Sequence, residues 1–292
     1  MSDTPQLVLL THFDLDGIGC AVLMQHAYDP DVVEFHGHTS IAEATVRYLE
    51  AGASVFCTDI APKRDVVLGL TPEQRSRLII IDHHAKGPLG EGPIEGVQSV
   101  YDSTVCATEL VFAYVRDVLE SMFHEDKAAL GLLVAVISTR DLWKRDSPLW
   151  DMATDLQTLM KLIGLDELFC RLLEDANPEL DTHESFAVGI AQEQEQKYIT
   201  GRVADVALDT DSEGRTFGWT HATHCFSEVC HGTLTRHPEA EYAVAYDANE
   251  GRVELRSREG GPHVGEIAAK RGGGGHPCAS GYSVMVSGLP MG

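Results

Sequence analysis

Three short apolar segments of this chain each run into carboxylates or imidazoles. Leu7 to Leu10 leads into His12, Asp14 and Asp16 within THFDLDGIG. Ser54 to Thr58 ends at Asp59, and Leu78 to Ile81 ends at Asp82, His83 and His84. Asp141 follows an apolar stretch further along. Asp14, Asp16, Asp59 and Asp141 together would bring four negative charges into one site. Like charges that close disfavour ionisation unless something positive compensates, and no lysine or arginine directly adjoins the polar motifs at the ends of the first three segments. Two divalent cations would neutralise the four carboxylates, with His12 and His83 completing a mixed nitrogen and oxygen donor set. Such a set suits Mn²⁺ better than Ca²⁺ or Mg²⁺, and Zn²⁺, Fe²⁺ and Co²⁺ share it. A lone aspartate after a strand is most often a turn residue or helix cap. It is the conjunction of HxDxDG after one strand and DHH after another that carries the metal reading.

The elements that must position these residues alternate. Strand-like runs lie at Leu7 to Leu10, Val32 to His36, Ser54 to Thr58 and Leu78 to Ile81, and helical patterns cover 18–27, 41–52, 104–120 and 126–139. Strands separated by helices predict a parallel sheet with helices on both faces. In such sheets ligands sit outside the carboxyl ends of the strands, where all three polar clusters fall. The pattern breaks near 175–185. A polar connecting helix is expected over 186–199, followed by strands at 203–209, 242–247 and 252–258 and then the run GGGGHPCASG. The expected organisation is a first domain over 1–185, a helical linker over 186–200 and a smaller α/β domain over 201–292.

Composition narrows the function. The chain has 292 residues, 43% of them apolar, with a formal net charge of −23 from 22 basic and 45 acidic residues. A surface this acidic repels long polyphosphates unless a local patch reverses the sign, which argues against coating duplex DNA but not against a small anion held by metals. It also fits a saline environment. No stretch of about 18 apolar residues is present to span a membrane. The start, MSDTPQ, lacks the basic-then-apolar pattern of a secretory signal. Seven cysteines do not suggest a disulfide framework, so a cytoplasmic location is expected. A homodimer is compatible with these features.

With these residues in view, nearly the whole chain resembles the DHH phosphoesterases. Their first motif matches HFDLDG at 12–17, the second the aspartate of VFCTDIAP at 55–62, the third DHH at 82–84, and the fourth the aspartate of STRDLW at 138–143. The second half resembles their DHHA1 partner domain, whose glycine-rich signature reads GGGGHPCASG at 272–281. The first motif is shorter here than in many members, and Cys20 stands where a small Ser or Ala is common.

The resemblance implies a two-metal site. One cation would take His12, Asp14 and Asp59; the other Asp16, Asp59, His83 and Asp141, with Asp59 bridging. Asp82 would orient an imidazole, and His84 would face the phosphate. Asp59, Asp82, His83 and His84 are the implied catalytic residues. Arg256, Ser257, Gly273, Gly274, Gly275 and His276 are the implied nucleotide-binding ones, in a segment with five basic against three acidic residues between Arg252 and Arg271. The implied activity is manganese-dependent hydrolysis of short oligonucleotides or dinucleotides to nucleoside 5′-monophosphates by two-metal activation of water. Alternatives are a RecJ-like single-strand exonuclease, a cyclic-dinucleotide or phosphoadenosine-phosphate phosphatase and, ranked lowest, a pyrophosphatase. A non-catalytic nucleotide sensor is the rival from another class.

Three further clusters invite a role. HATHCFSEVCH at 221–231 holds three histidines and two cysteines, but its spacing matches no common zinc framework, and 226–234 is expected to be helical. His36 and His38 alternate as on a strand and are candidates to line the site. Tyr101 to Thr104 is expected to cap the following helix.

Overall fold

A computed structural model of the chain describes residues 6–84, 87–120 and 124–284. The chain divides into two compact units, 1–189 and 190–292, and the helix Thr182–Ala204 runs across the division.

In the first unit five strands, β1 (Leu7–His12), β2 (Val32–His36), β3 (Ser54–Thr58), β4 (Leu78–Asp82) and β5 (Gln98–Tyr101), form one sheet in the order β2-β1-β3-β4-β5. Every neighbouring pair is parallel. Alternate residues of each strand feed opposite faces, which is why the strands read as unbroken apolar runs. Leu9, Phe56 and Ile81 join one core beneath the helices Leu15–Tyr28, Ala107–Tyr114, His124–Asp141, Trp150–Ile163 and Leu165–Glu174. Val8, Leu10, Val55, Cys57, Leu78 and Ile80 join the other beneath Ile41–Glu50 and Arg64–Gly69. The strand order reverses between β1 and β3. Chain leaving those two strands departs to opposite faces and opens a crevice at their carboxyl ends. His12 ends β1, Asp59 follows β3 and Asp82 ends β4, so the motif residues meet at that reversal.

The second unit has a mixed sheet. Strands β6 (Ala207–Thr210), β7 (Thr216–His221), β8 (Tyr242–Asp247), β9 (Arg252–Ser257), β10 (Gly274–His276) and β11 (Ala279–Ser283) lie in the order β10-β11-β9-β8-β7-β6. β7 and β8 are parallel and the other pairs antiparallel. Helix Phe226–Arg236 packs on Ala243 and Ala245, and helix Val264–Ala269 packs on Leu255, Val253 and Tyr242. The chain is thus α/β in both units. Among the described residues no helix is long and apolar enough to cross a membrane.

Several elements differ from the sequence expectation. Val203 and Ala204 close the long helix, so the strand expected from 203 begins only at Ala207. Asp141 is the last residue of its helix rather than beyond it. Tyr101 ends β5, and the helix expected from 104 starts at Ala107 with Cys106 at its N-cap, in a reciprocal arrangement with Glu109 three residues on. Glu109 was the readable signal for that start. Two of the four consecutive glycines, Gly274 and Gly275, lie in β10.

The turn after β1 depends on one glycine. An ideal Cβ on Gly17 would lie 1.9 Å from the His12 carbonyl oxygen, a backbone approach that no side-chain motion relieves. Gly17→Ala is therefore expected to destabilise the protein by at least about 1–3 kcal/mol in urea unfolding. Gly69→Ala, where a Cβ meets nothing within 4 Å, serves as the control; equal midpoints for the two variants would contradict this packing.

Candidate metal centre

Each motif side chain is delivered by an element that ends at the crevice. Asp14 is the N-cap of Leu15–Tyr28 and accepts from Gly17 N at 3.0 Å. Its other oxygen lies 2.6 Å from His12 Nδ1. Asp16, one residue into that helix, is buried and accepts the backbone amides of Ala107 and Thr108, both at 2.8 Å. Those amides are the unpaired donors of the helix Ala107–Tyr114, and a carboxylate there satisfies them and meets the positive end of the helix dipole. Thr108 Oγ1 donates back to the Asp16 carbonyl at 2.8 Å. This clamp between two helices was not foreseen from the sequence.

Asp59 takes a left-handed backbone with φ 60, uncommon for a side chain other than glycine, although aspartate tolerates it better than most. The turn aims a buried carboxylate at both neighbouring motifs. Asp59 Oδ1 lies 3.3 Å from His83 Nε2 and 3.9 Å from His84 Nδ1, and Oδ2 lies 3.7 Å from His12 Nδ1. His83 Nε2 is also 3.7 Å from Asp16 Oδ2, and its Nδ1 is 4.0 Å from Asp141 Oδ2. Most of these separations exceed a hydrogen bond. They are compatible with donors arranged around shared cations.

The ligating atoms fall into overlapping groups, each with mutual distances within 4.8 Å: His12, Asp14 and Asp59; Asp16, His83 and Asp141; and Asp59, His83 and His84. Asp59 Oδ2 is buried and accepts no hydrogen bond among the described residues. An anionic oxygen left in that state is costly, and a cation is the partner that this donor set suits. The chemistry of the residues therefore fits divalent metal.

Asp82 does a different job. Its Oδ1 accepts from His84 Nδ1 at 2.8 Å and from the His83 and His84 amides at 2.8 and 3.2 Å. It fixes the DHH turn and the His84 ring. Of the two extra histidine candidates, His38 joins the site, with its ring 5.7 Å from that of His12 and 6.5 Å from that of His84. His36 is engaged instead by Glu34 and Ser40 at 3.0 Å each.

In the second unit Arg256 donates to Ser227 Oγ and pairs with no carboxylate among the described residues. Its basic neighbours have structural partners. Arg252 pairs with Glu254 and lies over the Phe226 ring, Arg258 donates to the carbonyls of Ala240, Leu234 and His237, and Lys270 pairs with Glu213. Arg271 lies over the Tyr282 ring. Ser257 Oγ is buried without a hydrogen-bond partner. Gly273 lies against β11, where a Cβ would come 2.1 Å from the Gly281 carbonyl, and Gly275 has φ 139. Gly274 pairs with Gly281 and His276 with Ala279. In the 221–231 segment, His221 and His224 lie against Tyr246 and Tyr198, and no metal-ligand group forms there among the described residues.

No family model matches the chain. It is 26% identical to the oligoribonuclease NrnB of Bacillus subtilis, over 94% of this chain and 72% of that protein. The alignment spans both units, and the four motifs stand in order with their acidic and imidazole groups converging. The chain is similar to the DHH/DHHA1 phosphoesterases along both units. Solved structures share the fold. A DHH domain from a protein described as a member of the S1p ribosomal family has a TM-score of 0.62 at 13% identity, covering 96% of this chain and 82% of its own. The pGpG-specific phosphodiesterase PggH of Vibrio cholerae gives 0.55 at 15% identity, covering 96% and 93%. RecJ of Thermus thermophilus gives 0.51 at 14%, with 96% of this chain matched to 47% of that one.

The crowding of this site shows in its protonation. Desolvation favours the neutral form of Asp14, but the His12 hydrogen bond and charge hold its carboxyl down at about 2. Burial, then the charges of Asp16 and Asp14, push Asp59 well above the ordinary carboxylate range. The same causes push Asp141 up to about 8. Burial opposes the charge on His84, yet the Asp82 hydrogen bond raises it.

Because Asp59 and Asp141 lie above their unfolded values, their ionisation favours the unfolded chain. The penalty is absent below about pH 4 and is complete for Asp141 above about pH 8. Burial holds His83 and His38 low, so they are already neutral at pH 7 and drop out above it. The melting temperature of EDTA-treated protein is expected to fall by several degrees from pH 7.0 to 8.5, at about 2–4 °C per kcal/mol. Added Mn²⁺ should raise it more at the higher pH, and Asp59→Asn should narrow the gap. A metal-free melting temperature that rises across this interval would refute the assignment.

Proposed function

We propose that this protein is a divalent-metal-dependent phosphodiesterase that hydrolyses short oligonucleotides to nucleoside 5′-monophosphates, with Mn²⁺ as the preferred metal. The reading rests on one observation: His12, Asp14, Asp16, His83 and Asp141, carried by two strand ends and a helix end, gather around Asp59, whose buried Oδ2 accepts no hydrogen bond among the described residues. The relative aligned along 94% of the chain is an oligoribonuclease, which supports the substrate class.

His12, Asp14 and Asp59 would hold one cation, and Asp16, Asp59, His83 and Asp141 the other. Bound there, the pair supplies an activated water and Lewis acidity at the phosphoryl oxygens. Asp16 reaches its place through the two amides that fix its carboxylate, which limits its rotation and keeps the donor set assembled. Asp82 holds the His84 ring and favours its protonated form. That suits His84 to donate to a phosphoryl oxygen and to balance developing charge. His38, facing the same cluster, adds a second imidazole for the substrate.

A cysteine nucleophile is disfavoured on this site. Cys20 and Cys106 are buried, and burial with the Asp16 charge drives both thiols far from ionisation. In the second unit, Arg256 and Ser257 with Gly273, Gly274, Gly275 and His276 would bind a nucleotide phosphate. The lack of a carboxylate partner on Arg256 and of a hydrogen-bond partner on Ser257 Oγ supports that role. The units thereby act as a metal-binding catalytic domain and a substrate-binding domain.

The test is a panel assayed with Mn²⁺: pApA, longer RNA and DNA oligomers, cyclic dinucleotides, phosphoadenosine phosphate and pyrophosphate. Turnover of pApA and short RNA, abolished by EDTA, is expected. Preference for long single-stranded DNA would favour a RecJ-like exonuclease, and binding without any turnover a sensor. Asp59→Asn should remove turnover while the circular dichroism spectrum is retained; near-normal activity would eliminate the bridging role. Arg256→Ala should mainly raise KM, and an unchanged KM would remove it from the substrate site.

A further inference from the structure

Phe13 stands between two candidate ligands, His12 and Asp14, yet its side chain serves no core. It is 56% exposed, while Leu15, two residues on, is 3% exposed. Leaving a phenyl ring in water forgoes its burial, and this ring is also held in place. Its centroid is 4.8 Å from that of His12, and its edge lies over Gly37 in the neighbouring loop, where a Cβ would come 2.4 Å from Phe13 Cε1. Any side chain at position 37 would therefore displace the ring. His38, the next residue, turns its imidazole toward His12 and His84. Two loops thus combine to fix an apolar aromatic surface at the rim of the metal centre.

We infer that Phe13 is the stacking surface for the base of the nucleotide that carries the scissile phosphate. This rests on the phosphodiesterase reading of the same site. A nucleoside sets its base one sugar away from its phosphate, and Phe13 lies one ring outward from His12. Stacking is tolerant of base identity, because every base has a π-face. It also supplies affinity without cationic side chains, which are scarce around this cluster.

Kinetics with Mn²⁺ test it, using pApA and two analogues in which one or the other base is replaced by an abasic sugar. The wild type should discriminate against one abasic analogue by about tenfold or more in KM, the size of one base stack. Phe13→Ala should lose that discrimination, and Phe13→Trp should keep it. A second readout does not depend on turnover: 2-aminopurine fluorescence of a phosphorothioate dinucleotide should change on binding wild type and Phe13→Trp but not Phe13→Ala. Loss of fluorescence change with no hydrolysis by the wild type would count against the enzymatic reading, whereas hydrolysis with unaltered discrimination in Phe13→Ala would overturn the stacking role. Leucine substituting as well as tryptophan would overturn it too, since a merely packed side chain needs no π-face.

Discussion

The constraint on which the site depends is the crowding of acid at the carboxyl ends of parallel strands. Each carboxylate meets it differently. Asp14 borrows the His12 imidazole, Asp16 the amides of a helix N-terminus, and Asp82 the His84 ring with two backbone amides. Asp59 and Asp141 have the least compensation, and they are the two whose carboxyls are driven upward. The repulsion is therefore concentrated on Asp59, which two donor groups share, and on Asp141. A pre-arranged anionic cluster of this kind binds cations without first having to gather its ligands, at the cost of stability when none is bound.

The fold supplies the stiffness that such an arrangement needs. β1 and β3 are neighbours with diverging connections, so their ends are held side by side by the sheet ladder while the chain leaves in opposite directions. Asp16 then ties the helix after β1 to the helix after β5 through bonds at 2.8 Å. Two left-handed residues complete the geometry. Asp59 turns immediately after β3. Trp143, with φ 54, turns just beyond Asp141 and packs edge-on to Trp150, with the Arg140 guanidinium over both rings. Backbone strain of this kind persists only where surrounding packing over-determines it; of the four left-handed non-glycine residues described, these two lie at the site, and Asp29 and Cys225 lie elsewhere.

Much of this was legible because the chemistry and the strands coincide in sequence. An apolar run ending in DHH announces both a buried strand and its polar terminus, and β2, β3 and β8 fall where the residue pattern puts them. What escaped was what three-dimensional proximity creates. Asp16 reads as a ligand or a cap for its own helix, and nothing local says that it caps a helix some ninety residues away. β5, QSVY, is an edge strand with partly exposed faces and carries no strong alternation. Val203 reads as strand because β-branched residues favour sheets, but the packed end of the long helix overrides that preference. His36 and His38 look equivalent in sequence; only the end of β2 separates them, leaving one with Glu34 and Ser40 and the other beside the metal donors.

The same electrostatics bear on how substrate is recognised. With 45 acidic against 22 basic residues, the protein gains little from the sequence-independent attraction that draws basic proteins onto nucleic acid. In the second unit the basic residues of the segment 252–271 are largely occupied: Arg258 ties a helix end to the sheet through three carbonyls, Arg252 and Lys270 face glutamates, and Arg271 covers a tyrosine. Arg256 stands apart in having only a hydroxyl as its hydrogen-bond partner among the described residues. The proposed function therefore asks affinity for an anion of a few short-range contacts rather than of a long basic channel, because added phosphates bring charge repulsion from an acidic chain without a matching run of free cationic side chains.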